Sequence, residues 1–167
     1  MITKIEKILK SAQKNKEKVN ALSHAILAEP GLIDDIFSAF LHGSSTEKGN
    51  CIEALEYVSQ TQPGLGLPYL DFVTKNVIND LPRIRWEACR IIANIAPHFP
   101  KQLGFSIPNL RINTHHKGVV VRWSAACALT EIFKHNPEAN HLQAEFERIQ
   151  KDEKKQGVRK IYLNALG

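Results

Sequence analysis

Two tryptophans of this chain, Trp86 and Trp123, stand 37 residues apart (123 − 86), and each directly follows an arginine. Trp and Arg are the residues that most often anchor interfaces, and an indole can also stack on a nucleic-acid base. The two arginines, Arg85 and Arg122, have a third counterpart at the same spacing in Arg159. A guanidinium group can hold a carboxylate or a phosphate through two parallel hydrogen bonds. The pattern therefore predicts a binding surface.

The same spacing places further polar and aromatic residues at matching positions of successive copies. We predict that these columns contact a partner through the following residues: Trp86, Trp123, Arg90, Tyr57, Glu53, Asn94, Glu131 and Lys160. A second interpretation is that each tryptophan fills the space between successive helices and touches no ligand, since large aromatic side chains dominate core packing as readily as interfaces.

The elements that position these residues repeat with the same period. The block Ile84–Ile92 recurs as Val121–Leu129, and such a period indicates a unit that buries its apolar face only by stacking on its neighbours. Four prolines follow apolar stretches with helical spacing: Pro30, Pro63, Pro100 and Pro137. A further helical stripe follows each proline. We therefore predict an all-α fold of about ten helices without strands.

Local chemistry predicts several helix boundaries. Ser44 and Glu47 have the spacing of a capping box, and Asn136 can cap a helix that has Pro137 at its first position. Pro68 and Pro108 fall inside apolar stripes. Because proline disrupts a helix interior, the helices at these two positions are expected to start late or to kink.

The repeated block resembles the HEAT-repeat family, whose second helix carries an aliphatic-Arg-x-x-Ala-x-x-apolar-apolar pattern, often with an acidic residue four positions ahead. Val121-Arg122 and Ala125 match it, and Ile84-Arg85 and Ala88 match it with Asp80 in the acidic place. The copy that begins at Val158-Arg159 matches in part, because Tyr162 replaces the small Ala, and lysines stand in two of the acidic places, Lys117 and Lys154.

The resemblance implies a right-handed α-α superhelix (solenoid) of about five HEAT-like helical hairpins, with the second helices lining a concave, partner-binding face. It implies one domain over residues 1–167, with a capping helix at 1–14 and repeats at about 15–42, 46–79, 82–114, 118–153 and, in part, 156–167. It also implies that Arg85, Arg122 and Arg159 bridge neighbouring repeats, beside the anion-binding interpretation. A chain that ends inside a repeat would present an apolar end to another chain.

Composition limits the compartment and the chemistry. The net charge of +5 draws the chain only weakly toward acidic partners. Three cysteines within apolar stripes favour buried thiols in a reducing compartment, and no apolar run approaches the roughly 20 residues that span a bilayer. We expect a cytoplasmic protein without membrane contact. The seven histidines have no metal-site spacing, so neither a metal nor a cofactor is predicted.

Three functions follow in order of preference. The first is a non-enzymatic scaffold or adaptor that binds a protein partner, whose identity the sequence leaves open, through the tryptophan columns. The second is nucleic-acid binding by the same face, opposed by the negative charge of Glu53, Glu87 and Glu131. The third follows from the HEAT-like DNA glycosylases, which use Trp, Asp and Arg around a cleft; here only Glu87 or Glu131 could supply the carboxylate.

Overall fold

The computed structural model describes residues 1–167 and contains α-helices and short 3-10 segments but no β-strand. The ten helices are α1 (Lys4–Lys10), α2 (Asn15–Ala28), α3 (Ile33–His42), α4 (Ser45–Thr61), α5 (Leu70–Asn76), α6 (Pro82–Ile95), α7 (Ile107–Asn113), α8 (Val119–His135), α9 (Leu142–Asp152) and α10 (Gln156–Leu166). The predicted all-α fold of about ten helices is confirmed. No helix is both long and apolar enough to cross a membrane.

Proline sets where several helices begin. Four 3-10 segments start at the four prolines of the sequence period: Pro30, Pro63, Pro100 and Pro137. Pro68 lies in the 3-10 segment that precedes α5, and Pro108 lies in the first turn of α7, which follows another 3-10 segment. The late starts predicted at these two prolines are confirmed, because a helix tolerates proline in its first turn, where the missing N–H costs no hydrogen bond.

The chain divides into two compact units, residues 1–67 and 68–167, which are described separately. In the first unit α2 and α3 pack against α4, and α1 packs against α2 and α3. Its fully buried core includes Ile5, Leu22, Ile26, Ile36 and Ile52. The predicted capping box of α4 is present, since the Glu47 N–H donates to Ser44 Oγ (3.2 Å) and the Ser44 N–H donates to Glu47 Oε1 (3.0 Å).

In the second unit the longer helices stack in sequence, α6 on α8 and α8 on α10, while α5, α7 and α9 pack beside them. The fully buried side chains include Ile84, Ile92, Leu110, Phe146 and Tyr162. This arrangement repeats one helical pair along the chain, and it brings the residues at matching positions of α6, α8 and α10 onto successive helices of the stack.

Tyr162 of α10 occupies the position where the repeat pattern has a small Ala. Its ring packs 5.2 Å from the ring of Phe146 in α9, and Phe146 meets Phe133 of α8 edge to face, also at 5.2 Å between centroids. Such pairs add to the stabilisation that burial itself provides. Burial also raises the pKa of the Tyr162 hydroxyl well above its ordinary value. The larger side chain therefore fills an aromatic core between α8, α9 and α10.

Candidate functional site

Trp86 of α6 is half-buried and held by a charged neighbour. Its Nε1 donates to Glu87 Oε1 at 3.0 Å, and Arg90 Nη1 approaches the same oxygen at 3.5 Å. Only 3 % of Glu87 is exposed. The sequence interpretation that placed Glu87 on an exposed face is therefore wrong, because Glu87 lies on the same side of α6 as the buried Ile84 and Ile91. Trp86 and Arg90 therefore share one buried acceptor.

Trp123 of α8 is 40 % exposed and stands beside two exposed valines, Val119 and Val120. Together they form one wall of an open cleft of about 300 Å³, which we call the apolar cleft. Residues 155–158, at the start of α10, form the other wall. Singly exposed apolar residues are common on proteins, so the contiguity of these three makes the apolar cleft a candidate binding surface.

The other predicted contact residues of the second unit lie on the same three long helices. Asn94 is half-buried on α6, and Lys160 is exposed on α10. Glu131 of α8 pairs with Lys134 (3.4 Å) and with His135 (3.3 Å) of its own helix. Its charge is thereby partly compensated within α8.

Two predicted contact residues belong to the first unit. Tyr57 is exposed and Glu53 is half-buried, and both lie on α4. They are four residues apart and therefore share one face of the helix.

The three matching arginines make unequal contacts. Arg122 binds Glu153 through two parallel hydrogen bonds (3.0 and 3.2 Å) and also donates to the carbonyl oxygens of His116 and Lys117. It thus joins the turn that starts α8 to the turn that starts α10. Arg85 donates to the Val77 carbonyl at 3.3 Å, and Arg159 donates to the Gln150 amide oxygen at 3.4 Å.

A further repeated position, which we call the acceptor column, precedes each of the three long helices of this unit. Asn79 accepts a hydrogen bond from the Leu81 N–H (2.9 Å), His116 Nδ1 from the Gly118 N–H (2.9 Å) and Glu153 from the Lys155 N–H (3.0 Å). In each case the acceptor lies two residues before the amide. These bonds satisfy backbone groups at the turn before a helix, where donors otherwise lack partners.

The two titratable members of this column have lowered pKa values for different reasons. Burial and the nearby positive charges of Arg85, Lys117 and Arg122 lower the pKa of His116, so its neutral, accepting form is favoured. Burial acts to raise the pKa of Glu153, but the hydrogen bonds from Arg122 and from the Lys155 N–H outweigh it, so that this pKa is lowered. Both groups are therefore held in the state that accepts the backbone bond.

A larger cleft of about 560 Å³, the charged cleft, lies between the α7–α8 turn and α9. Two of its cations are paired, Arg111 with Glu145 at 2.9 Å and Arg122 with Glu153. Its remaining charged side chains are exposed: Lys117, Arg148, Asp152 and Lys154. The cleft thus mixes both signs of charge with an excess of cations.

The cysteines and histidines form no recognisable reactive centre. Burial raises the pKa of the Cys51 and Cys89 thiols to about 12 and that of Cys127 to about 11, which disfavours the nucleophilic thiolate. No group of three or more His, Cys, Asp or Glu side chains lies close enough together to hold a metal ion.

Sequence reasoning missed the apolar cleft and the acceptor column, although the repeat spacing carries a signal for both. Val120 aligns with Arg83 one copy earlier and with Gly157 one copy later, so an exposed apolar residue there departs from its neighbours. The acceptors stand one residue before Asp80, Lys117 and Lys154, which occupy the place where the repeat pattern often has an acidic residue.

Comparison with known proteins identifies the architecture. No protein-family model matches the sequence, and no curated protein matches it either. Among solved structures, the designed armadillo repeat protein YIII(Dq)4CqI is similar, with a TM-score of 0.73 and 17 % identity over 97 % of this chain and 79 % of that one. The designed armadillo repeat protein YIII(Dq.V1)4CPAF in complex with peptide (KR)4 is equally similar, with a TM-score of 0.73 and 16 % identity over 98 % of this chain and 80 % of that one. The chain therefore has the fold of an all-α helical repeat solenoid.

Proposed function

We propose that this chain is a non-enzymatic scaffold of the HEAT class that binds a protein partner through the long helices of its repeats. The observation that supports this most is the exposure of Trp123 beside the two valines at the mouth of the apolar cleft. A helical repeat stack presents an extended surface of this kind more readily than a deep pocket. One of the similar designed repeat proteins is described in complex with a peptide, which supports the same mode of use.

In the second unit the proposed contact residues are those on the three stacked helices: Trp86, Arg90, Asn94, Trp123, Glu131 and Lys160. The bonds from Trp86 and Arg90 to Glu87 reduce the side-chain freedom that would be lost on binding. In the first unit, Glu53 and Tyr57 of α4 are proposed as contact residues of that unit.

The arginines divide between two roles in this proposal. Arg122 is assigned to structure, because its guanidinium already binds one carboxylate and two carbonyl groups. Arg85 and Arg159 each donate one hydrogen bond to a neighbouring acceptor, which leaves donors for an anionic group. We assign these two a part in holding the repeat together and in meeting a partner carboxylate.

The contacts at the two candidate carboxylates support binding rather than catalysis. Glu87 is buried beneath Trp86 and Arg90, and Glu131 is paired within its helix. Neither is exposed as an acid or base beside an empty pocket, as a glycosylase-like reaction would require. The three free thiols favour a reducing compartment, so we place the scaffold in the cytoplasm.

The test is affinity capture from a lysate of the source cell, with the wild type and Trp123→Ala compared by quantitative mass spectrometry. Phe105→Ala serves as the matched control, because Phe105 is 48 % exposed in the same unit but does not line the apolar cleft. Proteins retained by the wild type and Phe105→Ala but lost by Trp123→Ala would support the proposal. Each variant is first checked for unchanged helicity by circular dichroism.

Nuclease treatment separates the second function from the first. Partners that survive nuclease and depend on Trp123 support a protein scaffold. Loss of all retained partners on nuclease treatment would instead move nucleic-acid binding to first place. Capture that is equal for the wild type and Trp123→Ala would contradict a partner-binding role for this face.

A further inference from the structure

The apolar cleft has the size and lining of a site for a bulky side chain. Its volume of about 300 Å³ is at the lower end for ligand pockets, and the side chains that line it on α8 are Val119, Val120 and Trp123. All three are substantially exposed, although removal of apolar surface from water is favourable. An apolar group seated in this cleft would cover them together.

Gly157 lines the cleft on the α10 side without a side chain. A Cβ atom built at Gly157 has no atom within 4 Å, and the residue occupies the position that Val120 fills one copy earlier. Because Gly157 itself lines the cleft, a larger residue at this position would add bulk to the wall without a clash at its Cβ.

The rim of the cleft on α10 is positively charged. Lys155 lines the cleft, and Lys160 lies three residues after Gly157, on the same side of the helix. Neither lysine has a carboxylate within ion-pair distance. Of the two acids that precede α10, Glu153 binds Arg122, and Asp152 lines the charged cleft together with Lys154.

We infer that the apolar cleft binds a bulky apolar side chain of an acidic protein segment, whose carboxylates meet Lys155 and Lys160. This inference rests on the proposed scaffold function and specifies its class of partner. A basic segment, such as the (KR)4 peptide in the complex of the designed neighbour, would bring like charges together at this rim. The phosphates of a nucleic acid would pair with the lysines, but a nucleic acid would supply no aliphatic or benzyl group to pack against Val119 and Val120.

Binding of synthetic peptides by fluorescence anisotropy tests the inference directly. The probe is a fluorescein-labelled peptide with one Phe between runs of Asp and Glu. It is compared with a peptide in which Ser replaces the Phe and with one in which Lys replaces the acids. We expect each change to weaken binding by about tenfold or more, which corresponds to about 1.4 kcal/mol. Equal binding of all three peptides would overturn the inference.

Variants of the protein separate the cleft from the rim. Gly157→Leu fills the cleft and should weaken binding of the acidic Phe peptide by about tenfold or more, as expected when one apolar side chain loses its pocket. Gly31→Leu is the control, since Gly31 also has open space around its Cβ but lies in the first unit. The pair Lys155→Glu and Lys160→Glu should abolish binding, whereas Lys75→Glu with Lys101→Glu, which makes the same charge change elsewhere, should not.

The outcomes distinguish this inference from the scaffold proposal. Trp123-dependent capture of proteins together with no preference for the acidic Phe peptide would keep the scaffold and overturn the partner class. Failure of both experiments would remove the scaffold function from this face. Sedimentation would reveal self-association, and self-association that Gly157→Leu abolishes would overturn the inference in favour of a second copy of the chain. Binding of a DNA duplex that depends on the lysines, without binding of the peptide, would overturn it in favour of nucleic acid.

Discussion

Replacement of Glu153 by Gln is the perturbation whose effect the structure specifies most closely. The carboxylate is 5 % exposed and Arg122 is 17 % exposed, and the two are joined by a pair of hydrogen bonds. Gln keeps the shape and can still accept the Lys155 N–H, so the change removes mainly the negative charge and one bond to Arg122. Hydrogen bonds to charged groups contribute about 1.5–3 kcal/mol. We therefore expect Glu153→Gln to lower the free energy of unfolding by about 2 kcal/mol.

Glu145→Gln provides the matched comparison within the same unit. Glu145 also pairs with an arginine, Arg111, but the two side chains are 22 % and 41 % exposed. Exposed ion pairs contribute only about 0–1 kcal/mol, since water and salt screen them. The same substitution at position 145 should therefore cost about 0.5 kcal/mol or less. The difference between the two variants measures what burial adds to the pair.

Urea unfolding followed by circular dichroism at neutral pH provides the assay. With a denaturant slope of about 2 kcal/mol/M, Glu153→Gln should lower the midpoint by about 1 M. The native-state pKa of Glu153 is lowered, so its stabilisation is present above the ordinary value of 4.5 and is lost as the pH falls through the lowered value. The wild type and the variant should therefore converge in acid. Equal losses for Glu153→Gln and Glu145→Gln, or a gap that persists in acid, would refute the assignment of Arg122 and Glu153 as the pair that joins the two turns.

Three further predictions concern residues of the second unit. The pKa of His116 is lowered in the native state, so the wild type should lose stability as the pH falls below 6.5 toward that lowered value. His116→Asn, which keeps an acceptor, should lack this loss. Thermal melts of both proteins between pH 5 and 8 check the prediction, and the same dependence of stability on pH in both would contradict it. Tyr162→Ala should cost about 3 kcal/mol in urea unfolding, since it empties a buried aromatic site, and a cost below about 1 kcal/mol would show that the ring contributes little. A disulfide reagent should label Cys127, which is half-buried, before Cys89, which is buried, and both thiols should react at least about tenfold more slowly than in the unfolded chain. Prompt labelling of Cys89 would contradict its burial.

The fold was predictable because the determinants of helices lie close together in the sequence. The spacing of apolar residues predicts the buried face of each helix. Proline marks helix boundaries because it lacks the backbone N–H that a helix interior needs. The late starts at Pro68 and Pro108 and the side-chain bond of Asn136 to the Glu138 N–H follow from such local rules. The period also predicts that Trp86 and Trp123 occupy equivalent positions on neighbouring helices.

The candidate site was predictable only in part, because exposure depends on the neighbour across a helix boundary. Glu87 lies at the spacing of the buried face, three residues after Ile84 and four before Ile91, although a charged residue usually occupies an exposed position. The cleft at Trp123 has Gly157 in its opposite wall, which is 34 residues (157 − 123) further along the chain. Periodicity specifies which face of a helix turns inward but not which side chain lies above a given exposed position.

The acceptor column repeats a hydrogen bond without repeating an amino acid. The amide of Asn79, the imidazole of His116 and the carboxylate of Glu153 each accept a hydrogen bond from the backbone N–H two residues later, because that N–H requires only an acceptor within reach. The requirement for an acceptor alone leaves the identity of the residue free to drift. A repeat defined by hydrogen-bonding roles would align these three positions, whereas a repeat defined by amino-acid letters finds nothing in common among them. Chains with the same architecture and little shared sequence are the expected product of such drift.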